Sequence, residues 1–335
     1  MQPLVTVLMP VYNAEAYLQE AIESILRQTL ANFEFLIVDD GSTDNSVAII
    51  KSYNDARIRF VQNERNLGIS ATLNRGIELA SCELIARMDA DDISYPARLQ
   101  KQYDFFTANP DCALLSAWAQ EVTETGEPIR TEKWRRPFFY YNLTFECWIY
   151  HPTVMYRRSA VLDAGAYSTP YSEDYDLWWH LARRYKIDTL PDVLLDYRLT
   201  GQSLYRATKK AEYEEAQYKQ ILRNLTFYTG AGFSITYNEV ECYRHNFGPL
   251  LQENSMSALI RAIQKLDYIN KRILKKENVN RDPVAIRQAA HEKKKFIIGQ
   301  LTFHLPNAKK FLFLVRLGQW RKLYGVLHRA ARPRH

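Results

Sequence analysis

The sequence predicts an α/β fold: a mixed, mostly parallel sheet covered by helices, followed by a C-terminal helical extension. Three observations lead there. Apolar runs of strand length alternate with amphipathic helical stretches through the first half of the chain. Acidic residues and glycines gather just after those runs, where ligands bind to open parallel sheets. Beyond Ser203 the sequence becomes helical and strongly charged.

The elements follow in order. Leu4–Met9 is the first strand. "AEAYLQEAIESILRQ" is a helix with Tyr17, Ala21, Ile22, Ile25 and Leu26 on one face. "FEFLIVDD" is a second strand. Ser42 then has the position of an N-cap, with Asp44 in the first turn of the next helix. "IRFVQ" is a third strand and "SATLNRGIELA" a third helix. "ELIARM" is a fourth strand, ended by Asp89, Asp91 and Asp92. Pro96 opens the helix "ARLQKQYDFFTAN", and "CALLSAWAQEV" is a fifth strand. From about Glu121 the alternation breaks, and "GEPIRTEKWRRPFFYYN" reads as irregular, aromatic and basic. "TVMYRR" is a short strand, "SAVLDAGAY" a short helix, "SEDYDLWWHLARRYK" a clear helix and "DVLLDYRL" a strand. A domain boundary is expected near residues 203–210.

Bulk properties bound the answer. A chain of 335 residues exceeds one small core and suggests a large domain with a smaller one, or two domains. The hydrophobic fraction, 47%, is that of a soluble globular protein. No apolar run nears the ~20 residues that span a bilayer. The start, "MQPLVTVLMPVYN", lacks the basic region and cleavage site of a signal peptide. Cys82, Cys112, Cys147 and Cys242 are scattered, with no C-x-x-C pair. That argues against a zinc site or disulfide framework and for four buried thiols in a reducing compartment. There the sequons at Asn142 and Asn224 carry no glycan.

One rim collects the chemistry. Strand one ends in Pro10, Tyr12 and Asn13, and strand two in Asp39, Asp40 and Gly41. Strand three leads into Asn63, Asn66 and Gly68, and strand four ends in the three aspartates. Such a rim repels a phosphate ester unless a divalent cation bridges them. Mg2+ and Mn2+ suit that task, since they take carboxylate, phosphate and water oxygens. Tyr12 can stack on a base, and a second acid can bond a ribose hydroxyl or base N–H. Together these suggest a nucleoside-diphosphate pocket. The first turn, "PVYNAEAY", has neither the G-x-G-x-x-G fingerprint nor a P-loop. "GAGF" at Gly230–Phe233 lacks the third glycine and a preceding strand.

Four stretches carry a resemblance. They are "VTVLMPVYNAEAYLQEAIESILRQTLANFEFLIVDDGSTDNS", "NERNLGISATLNRGIELASCELIARMDADD", "HPTVMYRRSAVLDAGAYSTPYSEDYDLWWHLARR" and "LLDYRLTGQS". In this order they strongly resemble the family 2 glycosyltransferases, which have the Rossmann-like GT-A fold. The resemblance covers roughly residues 3–205. It implies a catalytic domain over 1–205, with a nucleotide-sugar half (1–120) and an acceptor half (121–205), then a helical region over 206–335. It implies inverting, metal-dependent transfer of one sugar from a nucleotide-sugar donor, expected to be a UDP-sugar. The acceptor would be a saccharide or lipid-linked hydroxyl, in cell-surface polysaccharide or glycolipid synthesis.

By position, Tyr12 and Asp40 would hold the nucleoside, with Pro10, Asn13 and Gly68 beside them. Asp89 and Asp91 look like the D-x-D pair: Asp91 would bind the Mn2+ or Mg2+, and Asp89 would lie nearer the ribose. Asp174 of "SED" matches the catalytic base. One in-line displacement inverts the anomeric centre, so a single base suffices. Thr200 stands where many members have His, which leaves a water or Arg198 to supply that donor-side contact. The Q-x-x-R-W motif of processive synthases is missing, and "GQWRK" at Gly318–Lys322 has the wrong order. Addition of one sugar is therefore expected, not polymerisation.

Plainer readings stand beside these. Asp89 and Asp91 can form a solvated turn or a helix cap, although a cap needs one carboxylate and not three. Asp92 is the best suited to be merely a cap. Glu173 and Asp174 can be first-turn acids behind a Ser172 N-cap, where the helix terminus lowers a carboxylate's pKa and weakens a base. Tyr12 can be a rim aromatic only. His151 is a structural partner before it is a catalyst. Spacing puts Trp178 and Leu181 in the core, while Trp179 and His180 are free to face an acceptor. "RTEKWRRPFFYYN" interleaves basic and aromatic residues as nucleic-acid surfaces do, but it is short and isolated. An acceptor loop is preferred, and no nucleic-acid partner is expected. A catalytically idle sugar-nucleotide-binding or scaffold protein is the rival, resting on Thr200 alone. A nucleotidyltransferase would need a glycine-rich basic loop where "PVYNAEAY" stands.

The net charge of +6 belongs to the C-terminus. After Glu292 there is no acidic residue, while Lys293, Lys294, Lys295, Lys309, Lys310, Arg316, Arg321, Lys322, Arg329, Arg332 and Arg334 follow. From Trp320, the residues Leu323, Tyr324 and Leu327 share a helical face, and "KKFLFLVRL" before it repeats the theme. Such a helix lies on an anionic membrane surface or packs on the protein's own body. The expected location is cytoplasmic, peripheral on the inner membrane surface.

Overall fold

The computed structural model describes residues 2–133, 138–201 and 209–319. They fall into two compact units. The first takes the chain up to Leu143, then Cys147–Gln220 and Asn278–Asn280. The second takes Thr144–Glu146, Ile221–Glu277 and the chain from Arg281 on. The basic helical face from Trp320 lies outside the described residues.

The first unit is built on one sheet. Val5–Val11 (β1), Phe33–Asp39 (β2), Ile58–Gln62 (β3) and Leu84–Arg87 (β4) pair in parallel, β1 standing between β2 and β4. The remaining strands are Ile93–Ser94 (β5), Cys112–Val122 (β6), Pro128–Glu132 (β7), Met155–Arg157 (β8) and Lys186–Arg198 (β9). The order is β3-β2-β1-β4-β8-β6-β9-β5, with β7 added beside β6. The pairings β4–β8, β8–β6, β9–β5 and β6–β7 are antiparallel, so the sheet is mixed, as expected.

Local sequence explains most of this. β1 is buried along its whole length and β2 nearly so, which is why both read as continuous apolar runs. The helices of this unit are α1 (Leu18–Leu26), α2 (Ser46–Ser52), α3 (Ile69–Leu79), α4 (Arg98–Ala108), α5 (Phe139–Asn142), α6 (Arg158–Asp163) and α7 (Glu173–Arg184). α1 buries Leu18, Ala21, Ile22 and Ile25, a stripe at helical spacing. Full burial of each Leu or Ile contributes about 1.5–3 kcal/mol. Pro10 is buried inside β1, opposite Val38. It has no N–H to offer β4, and the β1–β4 ladder stops at Leu8–Arg87. Residues 88–92 are thereby free to turn away.

Four expectations change. Ser42 does not cap α2, which starts at Ser46 behind Asn45. Instead Ser42 Oγ accepts the Asn13 N–H at 2.9 Å, and the Asp44 carboxylate accepts the N–H groups of Glu15 and Ser46. The segment read as irregular after Glu121 contains β7, which returns on β6 through a turn at Gly126. Pro128 and Gly126 look like loop residues, but a proline is tolerated at the first position of an edge strand. β9 starts at Lys186 rather than Asp192, because Pro191 falls where the β6–β9 register shifts. Ser172 precedes α7 in a left-handed conformation and its side chain caps nothing.

A distant segment completes this unit. Asn280 Nδ2 donates to the carbonyls of Ala182 and Tyr185 at 2.9 and 2.7 Å, and its Oδ1 accepts the Ile187 N–H. It satisfies carbonyls left open at the end of α7.

The second unit is helical. α8 (Lys210–Thr229) enters it from the first, and α9 (Tyr237–Tyr243), α10 (Gly248–Gln252), α11 (Met256–Lys275), α12 (Pro283–His304) and α13 (Asn307–Arg316) follow. Thr236 and Glu239 form a capping box, Ser255 caps α11, and Asp282 caps α12 ahead of Pro283. α11 buries Leu259, Ile263, Leu266, Ile269 and Ile273 at helical spacing. The basic run here is not all surface. Lys293 is buried and bonds Glu146 at 2.9 Å, and Lys294 pairs with Asp267. A lysine inside the unit needs such a partner. Cys82, Cys112 and Cys242 are buried free thiols, but Cys147 is only half-buried.

Gly41 is where backbone geometry limits the sequence most tightly. Its φ is +74°, and a Cβ there would stand 2.7 Å from the Arg65 carbonyl carbon. Gly41→Ala should lower stability by roughly 2–5 kcal/mol, from left-handed strain plus overpacking. Urea unfolding measures this; an unchanged midpoint would mean that the 39–42 and 63–68 segments do not pack as described.

Candidate active site

The carboxyl ends of the parallel strands form one rim, and two groups of side chains stand on it. The first joins the ends of β1 and β2 to the loop before α3. Tyr12 follows β1 and is about half exposed, at 49%. Asn13 adopts φ 48° and accepts the Thr43 N–H through Oδ1 at 2.8 Å. Asp40 is buried, with three donors on its carboxylate: Asn63 Nδ2 at 2.6 Å, and the N–H groups of Leu67 and Gly68 at 2.9 Å. Gly68 has φ +89° and precedes α3. Asp40 and Asn13 thus tie these loops together, and Tyr12 and Asn13 are both exposed to solvent. Asp39 offers something the sequence reading passed over. It is fully buried; one oxygen accepts the N–H groups of Gly41 and Ser42, while Oδ1 has no partner.

The second group is the turn after β4. Asp89, Asp91 and Asp92 bring carboxylate oxygens within 4.8 Å of one another. Burial, and next the charge of Asp89, push the Asp91 carboxyl up to about 7. Asp92 is raised well above the usual range by burial and then by Asp91. Asp92 caps no helix: Ala97 precedes α4. Its Oδ1 accepts the Arg198 N–H at 2.8 Å, and its buried Oδ2 has no partner.

Arginines hold this turn from behind. Arg87, buried in β4, forms an ion pair with Asp89. Arg98, fully buried on α4, donates to the Arg87 carbonyl at 2.6 Å. Burial lowers the Arg98 pKa to about 9. Sequence reasoning missed both. The signal was present: an arginine inside a buried strand, and another on the stripe Arg98, Leu99, Gln102 and Phe106 that α4 turns inward. The Arg198 guanidinium donates to the Asp91 carbonyl, the Glu124 carbonyl and Glu20 Oε2, one bond from each of its three nitrogens. Thr200 is buried.

The start of α7 faces the same charges. Asp174 is half-buried, and its Oδ1 accepts the Tyr175 N–H at 2.7 Å. Desolvation, and next the Glu173 charge, push it up to about 6. The expectation of a weakened base therefore reverses: at this terminus burial outweighs the helix. Glu173 is buried, its Oε1 3.6 Å from His151 Nδ1 and its Oε2 without a partner; burial raises it to about 7. His151 is buried, bonds Tyr167 Oη at 2.7 Å and stands edge-on to Trp178. Burial, with Arg87 nearby, drops its pKa to about 3, so it is neutral and structural. Trp178 and Leu181 are core, as expected, but Trp179 is buried too, with the Arg183 guanidinium 3.9 Å from its ring centroid. His180 bonds the Asp176 carbonyl at 2.8 Å.

The arrangement can hold a hard divalent cation. All its donors are carboxylate oxygens, one buried oxygen is unpartnered, and positive charge relieves the mutual repulsion.

Comparison with known proteins identifies the family. Residues 6–164 match the family model described as Glycosyl transferase family 2. An uncharacterized glycosyltransferase of Methanocaldococcus jannaschii is 38% identical over 226 residues, 63% of this chain and 76% of that protein. The O-antigen biosynthesis glycosyltransferase WbnJ of Escherichia coli is 32% identical over 236 residues, 67% of this chain and 91% of that protein. Among solved structures, S. aureus TarS 1–349 in complex with UDP-GlcNAc has the same fold, with a TM-score of 0.58 at 18% identity over 88% of this chain and 90% of that one. The sheet and its covering helices are the GT-A arrangement, and the chain is a glycosyltransferase that belongs to family 2.

Proposed function

We propose that the chain is a metal-dependent, inverting glycosyltransferase that moves one sugar from a nucleotide-sugar donor, a UDP-sugar, to an acceptor hydroxyl. The product would be a cell-surface polysaccharide or glycolipid precursor. The observation that carries this reading is the turn after β4, where three carboxylates bring oxygens within 4.8 Å of one another beside Arg87. TarS, similar in fold, was solved with UDP-GlcNAc, and the relative WbnJ is named for O-antigen biosynthesis.

In this reading Asp91, with Asp89 beside it, holds Mn2+ or Mg2+. That cation would neutralise charge on the departing diphosphate. Tyr12 stacks on the base. The loop that Asp40 organises through Gly68 lines the nucleoside, with Pro10 and Asn13 shaping the wall. Asp174 takes the proton of the acceptor hydroxyl. As it does, the hydroxyl oxygen bonds the anomeric carbon and the bond to the diphosphate oxygen breaks. The proton ends on Asp174 and the electron pair on the diphosphate. A single displacement inverts the centre without a covalent intermediate.

The acceptor would sit at a membrane. No described helix is long and apolar enough to cross one. Phe303, Phe311 and Leu312 are exposed in a stretch with Lys309, Lys310 and Arg316 and no acidic residue. Aromatic and basic side chains together favour an anionic lipid surface. Attachment there, on the cytoplasmic side, would bring a lipid-linked acceptor within reach.

Asp174→Asn should cut kcat/KM by ~10²–10⁴-fold while UDP binding persists. In the native protein at saturating Mn2+, kcat/KM should fall as pH drops through about 6, because the base must be ionised. Full transfer by the variant would remove Asp174 from the mechanism. UDP with Mn2+ should raise the melting temperature by mass action. Asp91→Ala should abolish that metal-dependent rise; an undiminished rise would refute the ligand role. Deleting residues 306–335 should reduce binding to phosphatidylglycerol-containing vesicles, and unchanged binding would place the membrane contact elsewhere or nowhere.

A further inference from the structure

The two aspartates that follow Asp89 and Ala90 are held by one residue from the far end of the sheet. Arg198, the last residue of β9, uses its backbone and its side chain on consecutive positions. Its N–H donates to Asp92 Oδ1 at 2.8 Å, and its Nε donates to the Asp91 carbonyl at 2.8 Å. The other guanidinium nitrogens reach outward. One donates to the Glu124 carbonyl at 2.5 Å and the other to Glu20 Oε2 at 2.6 Å. The plane lies 4.7 Å from the centroid of Tyr17, just ahead of α1. The Arg198 side chain is 4% exposed, while that of Glu20 is 62% exposed.

We propose that Arg198 is a positioning residue: it clamps the Asp91–Asp92 turn to α1 and to the β6–β7 turn, and so presets the carboxylates for the cation. This rests on the metal reading given above. Residues 91 and 92 lie in a turn, outside any ladder that would fix them. β5 pairs with β9 only at Ile93–Asp196 and Ser94–Leu195. The short ladder brings the strand end close, and Arg198 finishes the job two residues further along. The planar fork suits this task. It bonds separate oxygens from three nitrogens held in one rigid plane, whereas a lysine has a single nitrogen on a flexible stem. Groups that orient a ligand from behind matter to metal affinity nearly as much as the ligand. Arg198 thus acts on donor chemistry through Asp91 and not by touching the diphosphate.

The test is Mn2+ binding to the full chain, followed by the loss of the free Mn2+ electron-spin resonance signal, with and without UDP. Arg198→Lys keeps the charge and the backbone bond to Asp92, and thermal unfolding checks that it remains folded. Its Mn2+ dissociation constant should rise by ~10–100-fold. Saturating Mn2+ should restore most of kcat, because the clamp presets the site and does not react. Glu20→Ala removes only the exposed anchor, so it leaves the core intact. It should shift Mn2+ affinity in the same direction by less. Native Mn2+ affinity in both variants would overturn the proposal. So would a loss of activity in Arg198→Lys that no Mn2+ concentration rescues. Asp91→Ala, run alongside, separates the two ideas. If it binds Mn2+ as the native chain does, the metal reading itself has failed. If it loses Mn2+ while Arg198→Lys does not, only the clamp has.

Discussion

Three carboxylates crowded at the end of one buried strand are the constraint on which the site is built. Burial, and then the neighbouring like charges, raise the pKa of Asp91 and Asp92. The fold answers with buried arginines. Arg87 pairs with Asp89 from inside β4, Arg98 braces the Arg87 carbonyl, and Arg198 bonds the next two aspartates. Each arginine comes from a different element, so the contacts that hold the turn draw on β4, α4 and β9 together. Asp91 and the unpartnered Asp92 Oδ2 keep capacity for positive charge from outside the protein.

The opposite end of the rim solves a different problem. The loops after β1 and β2 carry polar backbone that the sheet cannot satisfy, and they satisfy each other. Asn13 bonds Thr43, Ser42 bonds Asn13, Glu15 bonds Asn45, and Asp44 bonds Glu15. Asp40 then fixes the 63–68 loop. Ser42, which has the position of a cap in the sequence, is a stitch between neighbouring loops. The cost of this economy is Gly41, where no side chain fits.

Much of this was legible beforehand. The strands β1, β2, β3 and β6, and the helices α1, α3, α4 and α7, stand near their expected places, because their hydrophobic periods are strong and their partners are mostly close in sequence. The family was legible from four ordered stretches. The misreadings share a cause. β7 and the first half of β9 were hidden by Gly126, Pro128 and Pro191, which signal loops locally but are absorbed at an edge and at a register shift. Ser42, Asp92 and Ser172 were given capping roles from position alone, and each side chain found another partner or none. The raised pKa of Asp174 was not legible, because a helix terminus is visible in sequence, whereas burial is not.

By itself, then, the sequence determined the alternation of elements, the sheet's parallel core, the acidic rim and the family. These follow from local periodicity and from residue types at strand ends. The tertiary structure alone decided which aspartates share a field, which carboxylates are already saturated, and which arginines hold them. Those partners lie far apart along the chain: Arg198 is more than a hundred residues from Asp91, and Asn280 about ninety-five from the carbonyls it satisfies. Hydrogen bonds and desolvation act over a few ångströms of space. Only the packed sheet converts such separations in sequence into contact.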